Sequence, residues 1–409
     1  MKRKVIFNMA ILLVVFITPT QAMAQPKVSS KAAILMDIKT GQILFQKNAD
    51  QKMYPASTTK ILTTLVAIKK GNLNDDVLIS HKAASTKESS VGFQEGETVK
   101  LGDLLYAMML SSANDAAMAV AEHIGGSQEG FAQLMNSEAQ SIGAKNSHFV
   151  TPHGLHDPQH YTTAKDLAMI TREAMKNSLF RKYASTYSYH ISRTLPRSVK
   201  GIPQEDFVNF NKLIWPKSIY SYPGANGVKT GFTDEAGSCL VSSAQRDGPE
   251  FLTVVMKTDR NGIFRDSVTL LDYGFNEFKS LQLVKKGERL GVANVKEGDT
   301  DMIRALADED YNYNVPITDK PDIKKKIQLD KEVEAPVIKG QKIGTVTFLM
   351  DGKEIKRTDL VSDRNVEQRP SFSWWYGAVF ASFLLISIRS MVGARVKRRR
   401  YYYKRRRYH

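Results

Sequence analysis

The chain has 409 residues, 42% of them apolar, with 14 prolines; this excludes a disordered or low-complexity polymer and supplies enough apolar mass for about two domains. Its formal charge of +16 sits at the ends: Lys2, Arg3 and Lys4 give the first 24 residues +3, ten Arg or Lys give residues 389–409 +10, and neither segment holds an acid, so only +3 is left for the body, which argues against a nucleic-acid-binding surface. A single cysteine, Cys239, excludes an intramolecular disulfide framework and a multi-cysteine metal site.

The first predicted segment is an export signal. The basic triplet precedes an apolar run from Val5 to Ile17, and Ala22-Met23-Ala24 stands before Gln25, the order of a secretory signal peptide cut after residue 24; an uncleaved anchor is the alternative. Export without structural disulfides points to a bacterial envelope. Residues Ala32 to Asn48 alternate as two short strands around the turn Lys39-Thr40-Gly41.

From Ser57 to about Met175 the apolar spacing turns helical, as in Ile61, Leu62, Leu65, Val66 and Leu104, Leu105, Met108, Met109. Ser57-Thr58-Thr59-Lys60 opens the first of these helices. Three residues apart, hydroxyl and amine share a helical face, and an amine so placed can act as the base that makes a serine nucleophilic. The helix start also offers the Ser57 N–H to an oxyanion. Ser112-Ala113-Asn114 lies between the apolar segments 104–110 and 116–121, and in isolation reads as a cap or turn.

Strand patterning returns at Gly227–Thr230, Ser238–Ser243 and Phe251–Met256. Lys229-Thr230-Gly231 closes the first of these, and a glycine there lets a substrate backbone approach the strand. A helix follows from Phe264 to Leu271. Strands at both ends of a helical run predict one α+β domain whose terminal segments share a sheet, spanning residues 25–276. Beyond Gly274 the segments Leu281–Val284, Arg289–Val295, Ile327–Val333 and Thr345–Met350 read as strands separated by turns such as Asp351-Gly352. These predict a small all-β domain over 277–365, with a spacer or docking role.

The last apolar stretch, 372–392, carries Trp374, Trp375 and Tyr376 at one end and Arg389 near the other, followed by a basic tail over 393–409. Aromatics at one interface and cations beyond the other predict a single membrane span with a cytoplasmic C-terminus. A helix lying in the membrane plane is the competing reading.

Three short patterns in the order S-x-x-K, S-x-N, K-T-G are individually weak and jointly specific. With Tyr54-Pro55-Ala56-Ser57, Thr151-Pro152-His153-Gly154-Leu155 and the run from Lys229 to Gly237, the whole chain resembles the low-molecular-mass penicillin-binding proteins, the serine D-alanyl-D-alanine carboxypeptidases of bacterial cell walls. The resemblance implies a β-lactamase/transpeptidase-like catalytic domain, a β-rich second domain and a membrane anchor, with the catalytic part outside the cytoplasm. The implied substrate is a peptidoglycan stem peptide ending in D-Ala-D-Ala, with β-lactams as covalent inhibitors and no cofactor, metal or nucleic acid.

Within that resemblance Ser57 attacks the carbonyl between the terminal D-alanines and Lys60 accepts its proton. Ser112 relays a proton to the leaving amine, and Asn114 holds Lys60 and the substrate amide. Lys229 supplies charge and Thr230 a hydroxyl for the terminal carboxylate, beside Gly231. The Ser57 and Phe232 amides form the oxyanion hole, and Arg265 helps attract the carboxylate. His153, His156 and His160, with Asp157, imitate a zinc cluster, but Pro158 breaks any helix that would align them. Cys239, beside Leu240 and Val241, reads as a buried structural thiol. The alternatives are a class A-type β-lactamase, which shares the three motifs but uses an extra glutamate, and a catalytically idle wall-binding scaffold.

Overall fold

The computed structural model describes residues 25–193, 195, 204–370 and 374–405. The signal peptide over 1–24, the first residues of the apolar stretch (372–373) and the last of the basic tail (406–409) lie outside the described residues. The chain divides into two compact units, one running to Leu281 and including Tyr313–Asp319, the other formed by Gln282–Asn312 and everything from Lys320.

In the first unit β1 (Ala32–Asp37) and β2 (Ile43–Lys47) form the hairpin, and a 3-10 turn, Ala56–Thr59, leads into α1 (Lys60–Lys70). There follow β3 (Asp76–Leu78), α2 (His81–Ala84), β4 (Thr98–Lys100), α3 (Leu101–Leu110), α4 (Asn114–Gly125), α5 (Gln128–Ile142), α6 (Ala164–Ala174), α7 (Ser178–Ser185) and the short strands β5 (Ser188–His190) and β6 (Asp206–Val208). Then come β7 (Ala225–Thr233), β8 (Gly237–Gln245), β9 (Glu250–Thr258) and α8 (Gly262–Glu277).

The main sheet is antiparallel with order β2-β1-β9-β8-β7. The strands from both ends of the helical run do share it, Ala33 standing opposite Val255 and Ile34 opposite Val254. Every residue of β1 is buried, because alternate side chains serve two cores. Ala32, Ile34 and Met36 face the helical layer with Leu62 and Leu65, while Ala33 and Leu35 pack with Phe251 and Leu271, the latter from α8. The helix expected over 264–271 extends to 262–277, since Val268, Tyr273 and Phe275 also pack against this second core. Helix α3 is buried at eight of its ten positions, so it passes through the middle of the layer and delivers residues 111–114 into the interior.

The strands β10 (Phe278–Val284), β11 (Arg289–Lys296), β12 (Met302–Ala307), β13 (Tyr311–Pro316), β14 (Ile323–Leu329), β15 (Val333–Glu334), β16 (Lys342–Met350) and β17 (Lys353–Ser362) follow. In the second unit a six-stranded sheet has the order β14-β16-β17-β12-β11-β15, with Ile303, Ala305, Val346, Phe348 and Leu360 buried. Sequence reading missed β12, β13 and β17, and merged β14 with β15 into one strand over 327–333. The strand actually starts at Ile323: Lys324, Lys325 and Lys326 are exposed on an edge, where lysines serve to block further pairing and so hide the alternation. The β16–β17 turn is Asp351-Gly352, both left-handed (φ 49° and 80°), as a tight hairpin demands.

Helix α9 (Trp374–Arg405) has 32 residues. It continues through the basic segment instead of stopping at 392, because the Arg, Lys and Tyr residues there are all compatible with a helix. Its apolar side chains, such as Phe380 and Ile386, are exposed. Among the described residues it is the one helix long and apolar enough to cross a membrane.

Candidate active site

A cavity of about 930 Å³ opens in the first unit between the Ser57 turn, the loop at 88–89, Ser112 and strand β7. Pro55 precedes the 3-10 turn that carries Ser57, and Ala56 is left-handed (φ 50°). Two hydroxyls brace this turn, Thr58 Oγ1 donating to Pro55 O at 2.6 Å and Thr59 Oγ1 to Ala56 O at 2.8 Å. Gly154 makes room for it: a Cβ there would stand 2.0 Å from Ala56 O, and its φ is +83°.

Lys60 begins α1 with its side chain fully buried. Its Nζ lies 3.0 Å from Ser57 Oγ, 2.7 Å from Asn114 Oδ1 and 2.8 Å from the His153 carbonyl. Burial, followed by the charge of Lys229, holds the amine well below the ordinary lysine range, with buried Asp115 opposing. Nζ donates to two carbonyl-type oxygens and to Ser57 Oγ, so loss of one proton from the amine leaves its lone pair facing that hydroxyl.

Asn114 opens α4, and its amide orientation is set by its neighbours. Nδ2 donates to Lys87 O at 3.2 Å and Glu88 O at 3.0 Å, leaving Oδ1 for Lys60. Ser112 is buried and left-handed (φ 61°); it lines the cavity, and its hydroxyl has no hydrogen-bond partner among the described residues.

The opposite wall is β7, an edge strand that among the described residues pairs with β8 alone, so one side of it is open for an extended peptide. Lys229 is buried and donates to Thr230 O at 3.1 Å; burial pulls its ammonium down to about 7. Thr230, Gly231 and Phe232 line the cavity. A Cβ on Gly231 would lie 2.9 Å from Ser57 N, 3.0 Å from Thr58 N and 3.1 Å from Pro55 O. Glycine therefore lets the strand close directly onto the nucleophile turn.

Arg265 is placed differently. Its guanidinium pairs with Asp259 at 3.2 Å, is 58% exposed, and does not line the cavity. Arg260 does, with its guanidinium 5.5 Å from the centre of the Phe232 ring. Lys212 also lines the cavity, 5.7 Å above the Phe264 ring. Sequence reading missed Arg260, Lys212 and Glu88, which carry no motif.

The three histidines diverge. His153 lends its carbonyl to Lys60, and its Nδ1 accepts from Leu155 N. His160 Nε2 bonds Thr59 Oγ1 at 2.9 Å, while Nδ1 accepts from Val150 N and Thr151 N. His156 stacks edge-on against Tyr54. Burial lowers His153 to about 3 and His160 to about 4, keeping both neutral. Cys239 is buried, and burial raises its thiol to about 11.

A helical layer on an antiparallel sheet, with an edge strand closing on a serine paired to a buried lysine, is the architecture of the active-site-serine, penicillin-recognising enzymes. Residues 19–260 match the D-alanyl-D-alanine carboxypeptidase family model, and residues 278–368 match that of the penicillin-binding protein 5 C-terminal domain. Among curated relatives, D-alanyl-D-alanine carboxypeptidase DacF of Bacillus subtilis is 32% identical over 83% of this chain and 86% of its own. DacA of Haemophilus influenzae is 34% identical over 82% and 84%. The solved penicillin-binding protein 5 of Haemophilus influenzae superposes with a TM-score of 0.72 at 31% identity, over 85% of this chain and all of its own. The chain belongs to the D-alanyl-D-alanine carboxypeptidase family.

Proposed function

We propose that this enzyme removes the terminal D-alanine from peptidoglycan stem peptides through an acyl-enzyme on Ser57, and that β-lactams trap it there. Neutral Lys60 takes the Ser57 proton as Oγ attacks the carbonyl between the two D-alanines. The Ser57 and Phe232 amides steady the oxyanion. The peptide C–N bond breaks, the leaving amine receives its proton by way of Ser112, and water releases the acyl group. Asn114 keeps Lys60 aligned and holds the substrate amide. The peptide lies along β7 beside Gly231, with its carboxylate at Thr230 and the charge of Lys229. Arg260 takes the part that sequence reading gave to Arg265.

The observation that carries this reading is the contact set of Lys60 Nζ, shared among Ser57, Asn114 and the His153 carbonyl. We take residues 25–276 as the catalytic part and 277–365 as a spacer or docking domain. The segment 1–24 serves as export signal, and 372–392 as a span that leaves 393–409 in the cytoplasm. Fluorescent penicillin tests the site: a long-lived label on Ser57, lost in Ser57→Ala together with D-alanine release, is expected. Full D-alanine release by Ser57→Ala would overturn the mechanism, and rapid discharge of hydrolysed drug would favour a β-lactamase.

A further inference from the structure

The orientation of Asn114 depends on a stretch that has no regular structure of its own. Its backbone N–H donates to Ser89 O at 3.1 Å and its side-chain amide to the carbonyls of Lys87 and Glu88, all between α2 and β4. What fixes that stretch is a buried arginine beyond β5. Arg193, with its side chain 1% exposed, donates Nη1 to Val91 O at 3.2 Å and Nη2 to Gly92 O at 2.9 Å. Nε and Nη2 grip Glu97, itself fully buried, at 2.8 and 3.0 Å, and the guanidinium lies 4.4 Å from the centre of the Phe93 ring. Asp115 holds amides in the same stretch, accepting from Val91 N at 3.1 Å and Phe93 N at 3.0 Å. The stretch is thus pinned by its carbonyls from one side and by its amides from the other, within four residues of the carbonyls that aim Asn114.

A buried ion pair is a poor source of stability, because desolvation consumes much of the attraction, but its fixed fork geometry is a good source of position. We infer that Arg193, clamped by Glu97, is a positioning residue that acts through residues 87–92 on Asn114 and so on the alignment of Lys60 with Ser57. The inference rests on the roles given above to Asn114 and Lys60. Weakening the clamp lets the three carbonyls drift, the Asn114 amide turns, and the proton acceptor leaves its line with Ser57 Oγ. The carboxylate-binding side of the cavity, on β7, is untouched, so the chemical step suffers rather than binding.

The test is a double-mutant cycle in the full chain, with Arg193→Lys and Glu97→Gln each made alone and in an Asn114→Ala background. Penicillin acylation rate, kcat, KM and thermal midpoint are measured for each. A misplacement of a fraction of an ångström predicts about a tenfold fall in acylation and kcat for Arg193→Lys, with KM within about twofold. In the Asn114→Ala background the same change should matter less than about twofold. Equal losses in both backgrounds, or an unimpaired Arg193→Lys, would overturn the inference. Should Arg193→Lys not fold, Glu97→Gln, which keeps the side-chain shape, decides by the same comparison. Asn114→Ala acylating at the parental rate would instead remove the role of Asn114 itself, and the inference with it.

Discussion

Gly231→Ala isolates the closure of the edge strand on the nucleophile. The new Cβ would meet three backbone atoms, Ser57 N at 2.9 Å, Thr58 N at 3.0 Å and Pro55 O at 3.1 Å, where ordinary contact begins at 3.4 Å. None belongs to a flexible side-chain end, so the 3-10 turn and β7 must separate by about 0.5 Å. That moves Ser57 Oγ against Lys60 Nζ, now 3.0 Å away, and widens the gap between the Ser57 and Phe232 amides. Since a displacement of about 1 Å can cost ~100-fold in rate, half of it predicts a fall on the order of tenfold or more. Stopped-flow acylation by fluorescent penicillin gives the rate, and a melting curve checks that the fold survives. Acylation at the parental rate with an unchanged melting temperature would show that this contact does not set the geometry of attack.

Arg260→Gln should raise KM for a peptide with a free C-terminal carboxylate about tenfold, as expected for losing one charge-assisted contact, and should leave the C-terminal amide analogue unaffected; Arg265→Gln should change neither, and the reverse ranking would restore Arg265. Burial brings Lys229 to about 7, so the free enzyme loses this positive charge as pH rises through 7. The kcat/KM for the carboxylate substrate should therefore decline above that pH, and Lys229→Arg, charged throughout, should flatten the decline. The buried neutral His160 titrates near 4 in the folded chain against 6.5 ordinarily. The unfolded chain thus takes up a proton that the folded one refuses, and stability should drop between pH 6.5 and about 4, by on the order of 3 kcal/mol for this residue. His153 adds its own loss over the wider window from pH 6.5 down to about 3. A thermal midpoint that stays level over that window, or one whose slope His160→Gln leaves unchanged, would refute this.

Much of the site was legible because its chemistry is encoded locally. Ser57 and Lys60 are three residues apart at a helix start, and that spacing alone brings their side chains together. The shared sheet was legible too, from strand patterning at both ends of a helical run. The first half of edge strand β14 escaped notice because three successive lysines erase the period-two pattern. For Arg265, sequence shows which element carries the side chain and not which way it turns. Five residues apart, Arg265 in the first turn of α8 closes on Asp259, while Arg260, in the turn before that helix, lies over Phe232.

By itself, then, the sequence determined the chemical vocabulary: a serine with an adjacent amine, two further polar motifs, a charge distribution confined to the ends, and an apolar stretch long enough to span a bilayer. Tertiary structure alone decided which of these meet. Asn114 reaches Lys60 across 54 positions and the His153 carbonyl across 93, while Gly231 seats its strand on Ser57 from 174 positions away. Such contacts follow from the packing of α1, α4 and β7 around one cavity, where burial also lowers both lysines. A pKa set by desolvation belongs to the folded interior, and no local pattern of residues records it.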